Sequence, residues 1–144
     1  QDYRAHVALK QQIGTLIGTG EQEWNVDGYR RLLEAGGVDV VQMDPGRCHG
    51  ITGCIKAIAL VADAGLRFTA HTWSSALNTA ASVHLLATSS AGWCMDFKPH
   101  ESPMQHELVS DPWVQEDGFL AVRETGGLGV TVREDAVARY SFEL

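Results

Sequence analysis

Apolar and polar positions alternate along the chain in blocks that predict a series of strands and helices. Four largely apolar runs have the length and character of strands buried on both faces; they cover residues 13–18, 38–43, 66–70 and 93–97. Other segments carry apolar residues three and four positions apart, which predicts helices; they cover residues 1–12, 26–35, 51–65, 75–89 and 134–140. Regular alternation of strand and helix predicts an α/β fold built from parallel βα units.

The predicted helices have recognisable ends. Asn25 is a suitable N-cap for the helix over 26–35, and Gly36-Gly37 is a suitable stop. In the helix over 51–65 the helical spacing predicts one packed apolar face; its members are Ile51, Ile55, Ile58 and Val61. Two architectures fit this pattern, an open doubly wound sheet and part of a (β/α) barrel. The glycine-rich phosphate motif of the doubly wound class is incomplete in "GTGEQEW", which lacks its third glycine.

An ionisable residue follows the core of each predicted strand. These residues are Glu21, Asp44, His71 and Asp96. Barrel enzymes place catalytic groups at the carboxyl ends of their strands, so the repetition predicts a shared site. Asp44 has a second interpretation, because an aspartate before Pro-Gly is also a common turn opener.

Composition narrows the classes of function. The 144 residues suffice for one domain with a core, and the formal net charge of -7 without a basic block makes nucleic acid an unexpected partner. No apolar run has the length of a membrane span, so no membrane partner is expected. The three cysteines lack CxxC spacing, which favours a reducing, cytoplasmic location over a disulfide framework or a zinc site.

Several segments together resemble the C-terminal half of an enolase-superfamily protein of the mandelate racemase-like subgroup. The matching segments are "GTGEQEW", "VDVVQMDPGRCHGITGCIKAIALVADAG", "TAHTWSSALNTAASVHLLA" and "WCMDFKPHESPMQHELVSDPW". The resemblance implies a modified TIM barrel, (β/α)7β, of which this sequence would form the last four strands and a C-terminal tail. Residues 1–110 would be the barrel half, and 111–144 a tail packing on the barrel or on a capping domain.

The same resemblance implies a longer chain. The capping domain, the first barrel half, two further metal ligands and a lysine-bearing KxK motif would lie upstream of Gln1. We therefore expect the sequence to be part of a larger protein, and proteins of this type are often homo-oligomers.

The resemblance also implies roles for the strand-end residues. Glu21 matches a Mg²⁺ ligand, and magnesium prefers such hard oxygen donors. Asp44 and His71 match a catalytic dyad, in which the histidine carries a proton and the aspartate orients it. Because they belong to consecutive βα units, we expect a carboxylate oxygen of Asp44 within about 3.2 Å of a His71 ring nitrogen.

Two positions depart from the family's pattern. Asp96 stands where a glutamate is usual, and His49 stands in "HGIT" where "GGIT" is usual. Asp96 would either bond the substrate carboxylate in its protonated form or pair with nearby Lys98. His49, Arg47 and Trp73 are candidate substrate-binding residues, although a solvated loop arginine or a core aromatic are equally ordinary interpretations.

Trp24 and Trp93 are further candidates for lining the pocket.

The function that the resemblance implies is Mg²⁺-dependent removal of the proton next to a carboxylate, most simply by an acid-sugar dehydratase acting on a hydroxy-carboxylate. The alternatives to a dehydratase are a racemase or epimerase, a lactone cycloisomerase and a catalytically silent barrel protein.

Overall fold

The computed structural model describes residues 2–98 and 100–142. Within them the chain forms four strands and six helices in near-regular alternation. In chain order these are α1 (Tyr3–Lys10), β1 (Gly18–Thr19), α2 (Val26–Ala35), β2 (Val40–Met43), α3 (Gly50–Asp63), β3 (Arg67–His71), α4 (Ala76–Ala87), β4 (Gly92–Asp96), α5 (Pro103–His106) and α6 (Glu134–Tyr140). The predicted βα alternation is therefore confirmed.

All four strands belong to one parallel sheet in the order β1-β2-β3-β4. β2 pairs with β3 in parallel, as the βα interpretation requires. Sequential parallel order with a helix in each connection is the geometry of a barrel segment rather than of a doubly wound sheet. The sheet therefore brings all its carboxyl ends to one edge.

The helices cover one face of the sheet. Pairing of Val41 with Phe68 and of Met43 with Ala70 sets these four side chains on the same face, where all are buried. Tyr29, on α2, belongs to the same core. Further core members come from the helices packed on this face: Leu32 from α2 and Cys54, Ala57, Ile58 and Val61 from α3. This layer holds the strands in register and fixes where each of them ends.

The caps of α2 follow the sequence signals. The Asn25 side chain accepts a hydrogen bond from the Gly28 amide at 2.9 Å, and Gly36 adopts a left-handed φ of 76° at the C-terminus. An L side chain rarely adopts this φ, so glycine is the suitable residue for the stop.

The extent of β1 was predicted wrongly. Only Gly18 and Thr19 form the strand, and Ile13 and Leu16 of the predicted run 13–18 are exposed. β1 is an edge strand whose one partner is β2. Residues 13–16 have no ladder partner within the described chain, so their apolar character does not lead to a strand.

The packed face of α3 also differs from the predicted one. Ile58 and Val61 are buried, but Ile51 and Ile55 are exposed. The first half of the helix instead packs through smaller residues, Gly53 and Cys54. Gly53 is required there because a Cβ at this position would overlap the backbone carbonyl oxygen of Cys48.

The segment after β4 packs back on α4. Trp113 is buried against Ala80 and Val83 of α4, and its indole N–H donates to the Ala121 carbonyl at 2.8 Å. The predicted terminal helix is confirmed as α6. Within the described residues, no helix combines the length and apolarity needed to cross a membrane.

Candidate active site

Strand register brings the predicted residues together at the carboxyl edge of the sheet. His71 and Asp96 are the last residues of β3 and β4 and pair directly with each other. Asp44 follows Met43, whose partner is Ala70, so Asp44 comes level with His71. Side chains alternate between the faces of a strand, so all three lie on the face that the helices do not cover.

Asp44 and His71 form the expected dyad. Nδ1 of His71 lies 2.9 Å from Oδ2 of Asp44, within the distance predicted from the sequence. The Asp44 side chain is 4% exposed and that of His71 is 19% exposed. The imidazole therefore sits between a buried carboxylate and the open side of the sheet.

A second set of contacts fixes the other oxygen of Asp44. Oδ1 accepts hydrogen bonds from the Gly46 amide at 2.8 Å and from Nδ2 of Asn78 at 3.0 Å. The bond from Gly46 is the turn contact expected of an aspartate before Pro-Gly. The turn contact and the contact with the histidine therefore coexist, because one oxygen of Asp44 closes the turn while the other bonds His71.

Asp96 is held by a residue that the sequence analysis overlooked. Nε2 of Gln42 donates to Oδ2 of Asp96 at 2.6 Å. Gln42 lies two positions before Asp44 on β2, so strand alternation alone would have placed it on the site's face. The alternative pairing of Asp96 with Lys98 does not form in the part of the chain that the structure describes.

Glu21 lies in the turn after β1, at the same edge. Its Oε2 accepts a hydrogen bond from the Gly20 amide at 3.2 Å, and its side chain is half-buried. Its backbone carbonyl accepts a long hydrogen bond of 3.4 Å from Arg47, whose guanidinium lies 5.8 Å from the ring centre of Trp24. Arg47 therefore contacts the segment carrying Glu21.

These residues surround one open cavity of about 390 Å³. Its lining residues are Glu21, Gln42, His71, Trp73, Asp96 and Phe97. The Trp73 ring is nearly parallel to that of His71, at an interplanar angle of 12°. The cavity thus combines two carboxylates, one imidazole and two aromatic walls, a composition suited to a small polar ligand.

The remaining candidates lie elsewhere. His49 is exposed, with a left-handed φ of 54°, and neither it nor Arg47 lines the cavity. Trp93 was expected near the site but lies near the amino ends of the strands, where Arg67 stands over its ring. Trp93 is the second residue of β4, at the end opposite to Asp96, so its closeness to Asp96 in the sequence does not bring it to the site.

Two carboxylates at this edge have the donor atoms of a metal site. Glu21 and Asp96 offer the hard oxygen atoms that Mg²⁺ prefers. No group of three or more His, Cys, Asp or Glu side chains capable of holding a metal occurs within residues 2–98 and 100–142. The donor type fits magnesium, but these residues could provide only part of its ligand shell.

Comparison with known proteins identifies the fold family. The model of the enolase C-terminal domain-like family matches residues 1–136. The chain belongs to this family. This family match, together with a solved mandelate racemase-type protein of Bordetella bronchiseptica that is 28% identical, confirms the expected membership of the enolase superfamily in its mandelate racemase-like group.

Three relatives illustrate the match to the enolase family. L-rhamnonate dehydratase of Saccharopolyspora erythraea is 30% identical over 150 residues, covering 99% of this chain and 37% of that protein. The 3,6-anhydro-D-galactonate cycloisomerase of Zobellia galactanivorans is 30% identical with a TM-score of 0.89, covering 96% of this chain and 39% of that one. A mandelate racemase/muconate lactonizing enzyme from a marine actinobacterium, solved with magnesium, is 23% identical with a TM-score of 0.85, covering 99% and 38%.

The chain spans little more than a third of the length of these relatives. The four-stranded parallel sheet is the C-terminal barrel half of the enolase fold, as the sequence predicted. The relatives' names include dehydratases and cycloisomerases, so this is a family of enzymes.

Proposed function

We propose that this chain carries the proton-transfer side of an active site that acts next to a carboxylate, and that the whole protein is an acid-sugar dehydratase. The observation that carries the proposal is the 2.9 Å contact between His71 Nδ1 and Asp44 Oδ2 beside the cavity. The relatedness to L-rhamnonate dehydratase over nearly the whole chain supports the choice of reaction.

His71 is the proposed proton carrier. Because Nδ1 donates to the Asp44 carboxylate, the neutral ring has its acceptor at Nε2. Nε2 makes no hydrogen bond within the described residues, and the ring lines the cavity. Nε2 is therefore the atom that would take a proton from a bound substrate or return one to it.

Glu21 is the proposed contribution of this chain to a Mg²⁺ site. When bound, Mg²⁺ acts as a Lewis acid on the substrate carboxylate and makes the neighbouring proton easier to remove. Glu21 would hold the ion through its carboxylate at the edge of the cavity. The other ligands would have to come from outside the described residues.

Asp96 and Gln42 are proposed to orient the substrate. Gln42 donates to Oδ2 of Asp96, so this oxygen is held by the sheet and Oδ1 is left for a ligand in the cavity. As a carboxylate, Asp96 would accept a hydrogen bond from a substrate hydroxyl group, which suits a polyhydroxylated acid as the substrate. In its protonated form it would instead bond the substrate carboxylate, as the family resemblance implies.

In the proposed reaction the proton leaves C2 of the acid and hydroxide leaves C3. The departing hydroxide takes up a proton to form water, and the enol that remains tautomerises to a 2-keto-3-deoxy acid. His71 Nε2 would take part in one of these proton transfers. A cycloisomerase is the second candidate, because the chain is equally identical to the Zobellia cycloisomerase.

The test is a screen of sugar acids with the whole protein and Mg²⁺. Dehydration gives a keto acid detectable as its semicarbazone, whereas epimerisation and cycloisomerisation of an anhydro acid or lactone conserve mass. The matched variants are His71→Gln and His84→Gln; His84 lies on α4 and bonds the carbonyl of Leu128, away from the dyad. We expect His71→Gln to abolish turnover and His84→Gln to retain it.

Two outcomes would contradict the proposal. Turnover that survives His71→Gln would remove the histidine from the mechanism. Metal binding without product, and without exchange of substrate protons with D₂O on any sugar acid, would instead favour a catalytically silent barrel.

Assembly and location are also proposed. We propose a homo-oligomer, to be tested by light scattering of the whole protein. We also propose a reducing, cytoplasmic environment, because Cys48, Cys54 and Cys94 are all free thiols.

A further inference from the structure

We propose that Asn78 is a positioning residue for the Asp44–His71 dyad, an inference that rests on the proposed function of that dyad. Asn78 belongs to the first turn of α4 and is 5% exposed. Its sequence context is an ordinary apolar helix, and no strand-end pattern or motif singled it out.

Every polar atom of the Asn78 side chain is directed at the dyad or its loop. Nδ2 donates to Oδ1 of Asp44 at 3.0 Å and to the backbone carbonyl of His71 at 3.3 Å. Oδ1 of Asn78 accepts from the Gly46 amide at 2.9 Å. One amide therefore connects the carboxylate, the backbone of the imidazole residue and the turn that follows the carboxylate.

These contacts fix the role of each carboxylate oxygen. Oδ1 of Asp44 receives the Gly46 and Asn78 donors, which leaves Oδ2 to His71. Without Asn78 the buried Oδ1 would lose one of its two donors, and the carboxylate could rotate to share its oxygens differently. Rotation would move the His71 ring, whose position depends on Oδ2.

An asparagine is the suitable residue here because the site needs a donor and an acceptor on one short side chain. Aspartate has the same shape but would set a carboxylate oxygen against Oδ1 of Asp44, so two like charges would meet at a buried position. Alanine would leave both the Gly46 amide and the Asp44 carboxylate short of a partner.

Packing around the turn leaves little room for adjustment. A Cβ on Gly46 would lie 3.1 Å from Oδ1 of Asp44 and 3.3 Å from Oδ1 of Asn78. Such contacts are tighter than ordinary van der Waals separations, so the carboxylate and the amide would have to shift. Gly46→Ala therefore disturbs the same contacts from the other side, without removing the Asn78 side chain.

The test compares Asn78→Ala and Asn78→Asp with the control Thr79→Val in the whole protein. Thr79 is the next residue on α4, equally buried, and its hydroxyl donates to Gln105 at 3.0 Å rather than to the dyad. All three variants lose buried hydrogen bonding on the same helix turn. Only the Asn78 variants should affect proton transfer.

Turnover provides the first measurement. For Asn78→Ala we expect kcat to fall about tenfold to a hundredfold with KM nearly unchanged, as for other small misplacements of a reacting group. Asn78→Asp should fall at least as far despite its identical shape. Thr79→Val should stay within about twofold of the parent.

The second measurement does not depend on turnover. In ¹⁵N-histidine NMR, the Nδ1–H proton of His71 should be visible in the parent, protected by its bond to Asp44. It should broaden or disappear through exchange with water in Asn78→Ala and persist in Thr79→Val. If no sugar acid is turned over but these spectra differ as expected, the proposed function fails while the positioning role stands.

Two results would overturn the positioning role. One is an NMR signal in both Asn78 variants that matches the parent; the other is a fall in kcat no larger than that of Thr79→Val. If Asn78→Ala does not fold, Gly46→Ala and Asn78→Asp decide the matter, and parent-like kcat and spectra in both would refute the proposal.

Discussion

Replacing Asp44 with asparagine should change the tautomer of His71. Oδ1 of Asp44 accepts two hydrogen bonds, from Gly46 and Asn78, so the amide oxygen of the variant must occupy this position. The amide NH₂ then takes the place of Oδ2 and faces His71 Nδ1. Because two donors cannot face each other, Nδ1 must become an acceptor and the ring proton must move to Nε2. Nε2 could then no longer accept a proton from the substrate.

The size of the effect follows from charge and geometry. The Asp44 carboxylate stabilises a protonated His71 across a contact of 2.9 Å. At about 4 Å between charge centres and an effective dielectric constant of about 20, this attraction is about 4 kcal/mol. That corresponds to about a thousandfold in rate. An Asp→Asn change that leaves the wrong histidine tautomer in the Ser-His-Asp triad of serine proteases costs about 10⁴ in kcat, so we expect a decrease of about 10³ to 10⁴ in kcat for Asp44→Asn.

The assay is exchange of the substrate's C2 proton in D₂O, followed by NMR, with calorimetric Mg²⁺ binding measured on the same samples. Asp39→Asn is the matched control, because Asp39 immediately precedes β2 at the opposite end of the strand, where it pairs with Lys10 at 2.8 Å. We expect normal exchange in Asp39→Asn and nearly parental Mg²⁺ affinity in both variants. Parental exchange in Asp44→Asn would refute the tautomer argument. Loss of metal binding with unchanged turnover at saturating metal would show that the roles of Asp44 and Glu21 are exchanged.

Three further predictions concern the metal and the stability of the fold. Glu21→Gln should weaken Mg²⁺ binding in calorimetry by tenfold or more, with turnover partly recovered at high Mg²⁺; unchanged affinity would remove Glu21 from the metal site. The hydrogen bond from Lys10 lowers the pKa of Asp39, so this pair stabilises the fold above about pH 4 and loses its effect as the pH falls through the lowered value. Lys10→Met should therefore cost up to about 1 kcal/mol in urea unfolding at pH 7 and clearly less at pH 2, where only the hydrogen bond from Lys10 to the Val38 carbonyl is left to lose; an equal cost at both would contradict the ion pair. Leu32→Ala should destabilise by about 2–5 kcal/mol because Leu32 is fully buried, whereas Leu33→Ala, at a partly buried position on the same helix, should cost clearly less.

The strand-end residues were predictable because parallel strands share a direction. Once residues 38–43 and 66–70 were identified as consecutive parallel strands, Asp44 and His71 had to meet at one edge. The contact of 2.9 Å confirms that expectation. Side-chain alternation along β2 also predicts that Gln42 lies on the same face as Asp44, a prediction that was not drawn from the sequence.

Apolar character alone did not decide which segments become strands or which side of a helix is buried. The run over 13–18 is as apolar as the others, yet only its end finds a partner in β2. In α3 the helical spacing of isoleucines marked the helix correctly, but the sheet packs against Cys54 and Ala57 rather than Ile51 and Ile55. Strand formation requires a hydrogen-bonding neighbour, and helix burial requires a matching surface; both are supplied by other parts of the chain.

The sequence by itself determined the alternation of strands and helices, the ends of those helices that have capping residues, and the four ionisable groups at the strand ends. Each of these depends on near neighbours in the chain or on the fixed direction of a parallel strand. The tertiary structure alone decided that Gln42 holds Asp96 and that Asn78 holds Asp44. Gln42 and Asp96 are 54 positions apart in the chain, and Asn78 and Asp44 are 34 positions apart. Their hydrogen bonds form because the packing of α4 and the strands brings donor and acceptor together, which no local pattern in the sequence specifies.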